Sequence, residues 1–125
     1  MFGSKIVQAK ILMHLTTSID LEDQVAIVTG GARGIGAALA RGLAACHADV
    51  TIADLPERSD DLTRLVQDIK TAGGNAQAKE VDVTDHISIN SLVANVVSIK
   101  GKLDIMINNA GVINRSTAIT LTEKE

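Results

Sequence analysis

Short apolar runs alternate with stretches of helical spacing along most of the chain. Residues 25–28 (Val-Ala-Ile-Val) are rich in β-branched side chains and close on Thr29-Gly30, the pattern of a buried parallel strand. Ile35, Leu39, Leu43 and Cys46 then recur at near-helical spacing beside Ala38, Gly42 and Ala45, which predicts a helix with a small apolar face. Residues 50–53 read as a second strand closed by Asp54, and Pro56 breaks the chain after it. Leu62, Leu65, Val66 and Ile69 fall at i, i+3, i+4 and i+7, with Asp60, Asp61, Arg64, Asp68 and Lys70 as the solvated side of a second helix. Gly73-Gly74 ends it. A weaker strand is expected over 77–83. Asp85 is placed to cap a third helix carrying Ile89, Leu92, Val93 and Val96, and a fourth strand is expected over 103–107.

Strands and helices in strict alternation argue for an α/β fold with a parallel sheet. Right-handed crossovers then favour the doubly wound strand order 3-2-1-4. Residues 1–22 stand apart as an N-terminal extension, and 23–125 form the sheet-bearing unit. Residues 1–19 hold no acid and place Lys5, Lys10 and His14 among apolar side chains. That pattern suits a basic mitochondrial targeting segment or a loose terminus.

Composition narrows the function. Apolar residues make up 46% and charged ones 22% of 125 residues, an ordinary globular balance. A net charge of −3 gives no footprint for nucleic acid. With one Phe and no Tyr or Trp, there is no aromatic platform for stacking bases. No apolar run reaches the roughly 18 residues of a membrane span, so no membrane partner is expected. The lone Cys46 excludes an internal disulfide and fits a reducing, cytoplasmic setting; on the apolar side of its helix it reads as a small core residue. His14, His47 and His86 lack metal-ligand spacing, so no metal is expected, and Arg58 and Arg115 read as solvated.

The chemistry concentrates at the C-terminal ends of the strands. Thr29-Gly30-Gly31-Ala32-Arg33-Gly34-Ile35-Gly36 joins the first strand to the first helix. Such a turn aims backbone N–H groups and a helix N-terminus at one point, which suits a phosphate. Glycine is needed where a ligand approaches the backbone or where φ is positive. A tight turn without a ligand has the same pattern. Asp54 could accept hydrogen bonds from ribose hydroxyls and repel a 2′-phosphate, or be a solvated turn acid. Asp82 and Val83 could frame an adenine ring, or Asp82 could belong to the start of the next helix. Asn108-Asn109-Ala110-Gly111 follows the fourth strand. All four places lie where ligands of open α/β sheets bind.

With these residues in place, the chain resembles the N-terminal half of a classical short-chain dehydrogenase/reductase. Thr29-Gly30-x-x-x-Gly34-x-Gly36 is similar to that family's cofactor motif, Asn108-Asn109-Ala110-Gly111 to its second hallmark and Asp82-Val83 to a third. The resemblance runs over about 21–125. It implies a Rossmann-type sheet truncated after the fourth strand. It also implies that Gly30, Gly34, Ile35 and Gly36 line the cofactor diphosphate, that Asp54 contacts the adenosine ribose, and that Asp82 and Val83 meet the adenine. Asn109, Ala110 and Gly111 would lie along the nicotinamide-side ribose. Asp54 favours NAD over NADP, although Arg33 is similar to a position that helps hold a 2′-phosphate. The whole enzyme would move a hydride between nicotinamide and a secondary alcohol or ketone of sugar, polyol or 3-oxoacyl type, as a homo-oligomer.

The family's catalytic tyrosine has no counterpart, since the chain has no Tyr. Its serine, lysine and relay asparagine match no position here, and Ser116 and Lys124 are not assigned. The catalytic set is therefore expected to be empty. Thr122-Glu123-Lys124-Glu125 reads as a capping box with Leu121 as its staple, a helix start at the last residue. The expectation is a cofactor-binding half, with an exposed apolar face and a free sheet edge. The alternative is a non-catalytic dinucleotide-binding or interaction module, or the product of a decayed gene. A methyltransferase on the same sheet would not predict Asn-Asn-Ala-Gly after the fourth strand.

Overall fold

The structure, a computed structural model, describes residues 19–111. The expected targeting segment and most of the extension, with His14, lie outside the described residues. So do Arg115, Ser116 and the expected helix start over 121–125.

The apolar runs form the strands. β1 (Val25–Thr29) leads through the glycine turn to α1 (Gly34–Ala45), then β2 (Asp49–Asp54), a short 3-10 turn (Pro56–Arg58) and α2 (Ser59–Thr71). β3 (Asn75–Glu80), α3 (His86–Lys100) and β4 (Ile105–Asn108) follow. All pairings are parallel and the order is β3-β2-β1-β4, the doubly wound arrangement expected from the alternation. Ala26 stands opposite both Val50 and Ile105, so β1 is central, and all five of its residues are buried.

Side chains alternate across a strand, so β1 and β2 feed two cores. Ala26, Val28, Val50 and Ile52 pack with Ala40 and Ala44 of α1 and with Leu62, Leu65 and Ile69 of α2. On the other face Val25, Ile27 and Ala53 meet Leu92 and Val96 of α3. Asp85 caps α3 by accepting a hydrogen bond from the Ile87 N–H at 2.9 Å. Among the described residues β4 has no outer neighbour, and its Ile105, Met106 and Ile107 are only half-buried.

Three expectations are corrected. The sheet-facing side of α1 is Gly36, Ala40 and Ala44, while Ile35 and Leu39 are 74% and 39% exposed. The packing stripe is shifted by one residue because small side chains let α1 approach the sheet closely, which hydrophobicity alone does not signal. Cys46 is half-buried at the end of α1 rather than in the core. β3 stops at Glu80, so Asp82 and Val83 lie in the loop beyond it. Its run Asn-Ala-Gln-Ala-Lys-Glu has little apolar pattern, and pairing with β2 from Asn75↔Asp49 to Glu80↔Asp54 fixes its limits.

Asp104 ties β4 to β1. Its carboxylate accepts the Val25 N–H at 2.8 Å and pairs with Lys102 Nζ at 3.1 Å. The Val25 N–H first, then Lys102, hold its carboxyl below the usual range. A depressed folded value adds stability above the unfolded carboxyl pKa of about 3.9, lost as pH falls through the lower folded value. Acid unfolding monitored by circular dichroism is expected to lose part of its steepness below pH of about 4 in Asp104→Asn.

Candidate functional site

The turn after β1 and the loop after β4 interlock. Thr29, 2% exposed, donates its hydroxyl to the Ile107 carbonyl and accepts the Ala110 N–H, both at 3.3 Å. Asn109 Nδ2 donates to the Gly30 carbonyl at 3.0 Å. Gly30 sits at φ +62°, and a Cβ there would meet Ala110 Cα at 2.8 Å. Both conformation and close approach therefore require glycine at this position.

Asp54 joins the same corner from β2. Its Oδ2 accepts the Ala32 N–H at 3.1 Å and its Oδ1 the Leu55 N–H at 2.8 Å. Its backbone carbonyl accepts the Val81 N–H at 2.9 Å, which anchors the loop after β3. In that loop Asp82 Oδ1 accepts the Thr84 hydroxyl at 2.6 Å and the Thr84 N–H at 3.0 Å. These two bonds, the hydroxyl first, hold the Asp82 carboxyl below the usual range.

A cavity of about 450 Å³ opens between these loops, within the usual range of about 300–1,000 Å³ for small-molecule sites. Gly30, Arg33, Gly34 and Asp54 border it on the side of the first two strands. Asp82 and Val83 border it from the loop after β3, and Asn109, Ala110 and Gly111 from the loop after β4. Two residues expected at the diphosphate do not border it. Gly36 is buried under Gly30 and Asn109, and the Ile35 side chain is exposed. Both can reach a ligand only through the first-turn N–H groups of α1. Sequence reasoning missed Arg58, read as solvated, which is half-buried and borders the cavity. Its position after Asp54 and Pro56 was the available signal, but the direction of the 3-10 turn decides where it points.

The walls suit an elongated phosphorylated ligand. Gly34 and Gly111 border the cavity, and a Cβ on either would meet no protein atom within 4 Å. Gly34 is at φ +60°, which accounts for glycine there. At Gly111 neither a positive φ nor packing among the described residues requires glycine, so its effect is to keep the cavity wall low. Cationic Arg33 and Arg58 share the space with Asp54 and Asp82. Among the described residues no group of three or more His, Cys, Asp or Glu could hold a metal ion, and no helix is long and apolar enough to cross a membrane.

This parallel sheet, with a cavity at the strand ends, is the architecture of Rossmann-type nucleotide-binding proteins. Residues 24–125 match the short chain dehydrogenase family profile, and the chain belongs to that family. It is similar to L-2,3-butanediol dehydrogenase of Corynebacterium glutamicum, 33% identical over 102 residues that cover 82% of this chain and 40% of that protein. Among solved structures, a metagenomic short-chain oxidoreductase in complex with NADP is 37% identical with a TM-score of 0.70, covering 74% of this chain and 41% of that one. A blue fluorescent protein from a metagenomic library in complex with NADPH is 35% identical with a TM-score of 0.75, covering 82% and 42%. The chain spans about two fifths of the length of the curated relatives it matches.

Proposed function

We propose that residues 23–125 form the N-terminal part of a nicotinamide dinucleotide-binding domain, and that the whole protein is an NAD(P)-dependent oxidoreductase. The carrying observation is one cavity that joins the glycine turn, Asp54 and Asn109–Gly111 at the C-terminal ends of β1, β2 and β4. In this reading Gly30, Arg33 and Gly34 border the diphosphate, with the N–H groups of Ile35 and Gly36 aimed at it. Asp54 accepts the adenosine ribose hydroxyls, Asp82 and Val83 flank the adenine, and Asn109, Ala110 and Gly111 face the nicotinamide-side ribose.

When bound, the cofactor supplies or accepts a hydride at its nicotinamide. The whole enzyme would use this on a secondary alcohol or ketone of sugar, polyol or 3-oxoacyl type, working in the cytoplasm as a homo-oligomer. Residues 1–125 hold no tyrosine to move the accompanying proton, so they bind without turnover. Asp54 taken alone supports NAD over NADP. The NADP and NADPH held by the two solved relatives weigh the other way.

Titration of the chain with NADH, followed by nicotinamide fluorescence, is expected to saturate without turnover of any alcohol. Gly111→Val adds a side chain whose Cβ has free room and should raise Kd about tenfold, equivalent to about 1.4 kcal/mol, while leaving the melting temperature in place. Absence of saturable binding would overturn the proposal, and an unchanged Kd in Gly111→Val would remove this loop from the site.

A further inference from the structure

We infer that Ser88, in the first turn of α3, is a positioning residue that sets which purine base the cavity accepts, through its hydrogen bond to the backbone of the loop after β3. This rests on the dinucleotide-binding reading above, in which Asp82 and Val83 flank the base. The Ser88 hydroxyl oxygen accepts the Asp82 N–H at 3.0 Å. In a capping box, the side chain three residues after the cap reaches back to the cap's own N–H. Here the cap is Asp85, whose N–H already donates to the Asp82 carbonyl at 3.1 Å. Ser88 reaches past it and ties α3 to a residue on the cavity wall.

The N–H groups of the loop can be followed one by one. Val81 donates to the Asp54 carbonyl, Asp82 to Ser88, Thr84 to Asp82 Oδ1 and Asp85 to the Asp82 carbonyl. The Val83 N–H has no acceptor among the described residues, and Val83 is half-buried on the cavity wall. Asp82 engages only Oδ1, with the Thr84 hydroxyl and N–H, and its Oδ2 has no partner among the described residues. The two leftover groups, a carboxylate acceptor and an N–H donor, therefore belong to adjacent residues bordering one cavity. Adenine offers the complement, an amine donor beside a ring-nitrogen acceptor. Hypoxanthine reverses both and leaves the two protein groups unpaired.

The core does not fix how these two groups sit. Asp82 and Thr84 are exposed, and of this loop only Val81 is buried. Beyond Val81, Asp82 is held by Ser88 and by its own turn with Thr84 and Asp85. If Ser88 is truncated, the exposed Asp82 N–H can turn to water, so the loss falls on geometry and not on stability.

NADH and its hypoxanthine analogue are titrated separately into residues 1–125 and into single variants, followed by nicotinamide fluorescence, and the ratio of their Kd values is read. The unaltered chain should bind NADH more tightly than the analogue. Ser88→Ala is expected to raise Kd(NADH) about fivefold, the loss of about one hydrogen bond, and to leave the Kd of the analogue within about twofold. Its melting temperature should stay in place, since alanine is the better helix former. Ser88→Thr keeps the hydroxyl and should restore the preference for NADH. Ser91→Ala, at an exposed position of the same helix, should leave the ratio alone. Equal affinity of the unaltered chain for the two nucleotides, equal weakening of both in Ser88→Ala, an unmoved ratio, or a preference that Ser88→Thr does not restore overturns the positioning role while leaving the dinucleotide site standing. Failure of NADH to bind at all overturns the underlying reading, and this inference with it.

Discussion

Gly36→Ala is expected to destabilise the fold by about 2–4 kcal/mol and to abolish dinucleotide binding, although it places the better helix former in a helix. Gly36 lies in the first turn of α1, directly beneath the glycine turn. A Cβ there would collide with the Gly30 carbonyl oxygen, approach Asn109 Nδ2 at 2.6 Å and approach Gly31 Cα at 2.9 Å. Two of these three atoms are backbone, in a turn already held by the Gly31 N–H to the Ala53 carbonyl at 3.2 Å, so they have little room to yield. The third belongs to the Asn109–Gly30 hydrogen bond that locks the loop after β4 to the turn after β1. Overpacking a tight contact costs about 1–3 kcal/mol, and losing a partly buried hydrogen bond adds about 1. Gly42 supplies the control on the same helix. A Cβ there meets nothing within 4 Å, so Gly42→Ala should stabilise by about 0.5–1 kcal/mol through backbone entropy alone. Urea unfolding of the two variants should therefore move in opposite directions. A Gly36→Ala midpoint equal to the wild-type value would mean that the two loops are not interlocked as described.

The strands, their order and most of the residues that border the cavity could be read from the sequence because their signals are local. Residues 25–28 are an unbroken apolar run, Leu62, Leu65 and Ile69 keep helical spacing, and Asp85 precedes a periodic stretch. Each of these is buried or capped as its pattern says. What could not be read depends on partners distant in the chain. The extent of β3 follows from pairing with Asp49–Asp54 and not from its own polar sequence. The choice of Ala40 and Ala44 over Leu39 as the sheet-facing side of α1 follows from how closely helix and sheet approach. Arg58 reaches the cavity because a proline-started 3-10 turn carries it back toward the strand ends, and no periodic pattern encodes that return. Asp54 was legible as a strand-end carboxylate, the basis of its proposed ribose role, but its second task, holding Ala32 and Leu55, depends on how the end of β2 meets the glycine turn.

That second task sets the other large expected effect. Asp54→Ala should lower stability by about 2 kcal/mol and weaken NADH binding by roughly tenfold to a hundredfold, two losses with different origins. The Leu55 N–H lies on an exposed residue and can turn to water. The Ala32 residue is 6% exposed, so its N–H loses its acceptor among the described residues in a place water reaches poorly, which accounts for most of the stability change. The binding change combines the lost ribose acceptor with a glycine turn less firmly held by β2, to which the Gly31 N–H still donates at the Ala53 carbonyl. Asp54→Asn separates the two. The amide keeps one acceptor oxygen for the Ala32 N–H, so stability should fall by no more than about 1 kcal/mol. It also removes the negative charge that would face a 2′-phosphate on the adenosine ribose, so NADPH should gain on NADH relative to the wild-type ratio. Thermal melts give the stability of both variants, and nucleotide titrations well below each midpoint give the ratios. Equal stability losses in Ala and Asn would mean that the Ala32 contact contributes little. An NADH affinity that Asp54→Ala leaves unchanged would take Asp54 out of the ribose site, and a ratio that Asp54→Asn leaves unchanged would place its carboxylate too far from the 2′ position to influence which cofactor binds.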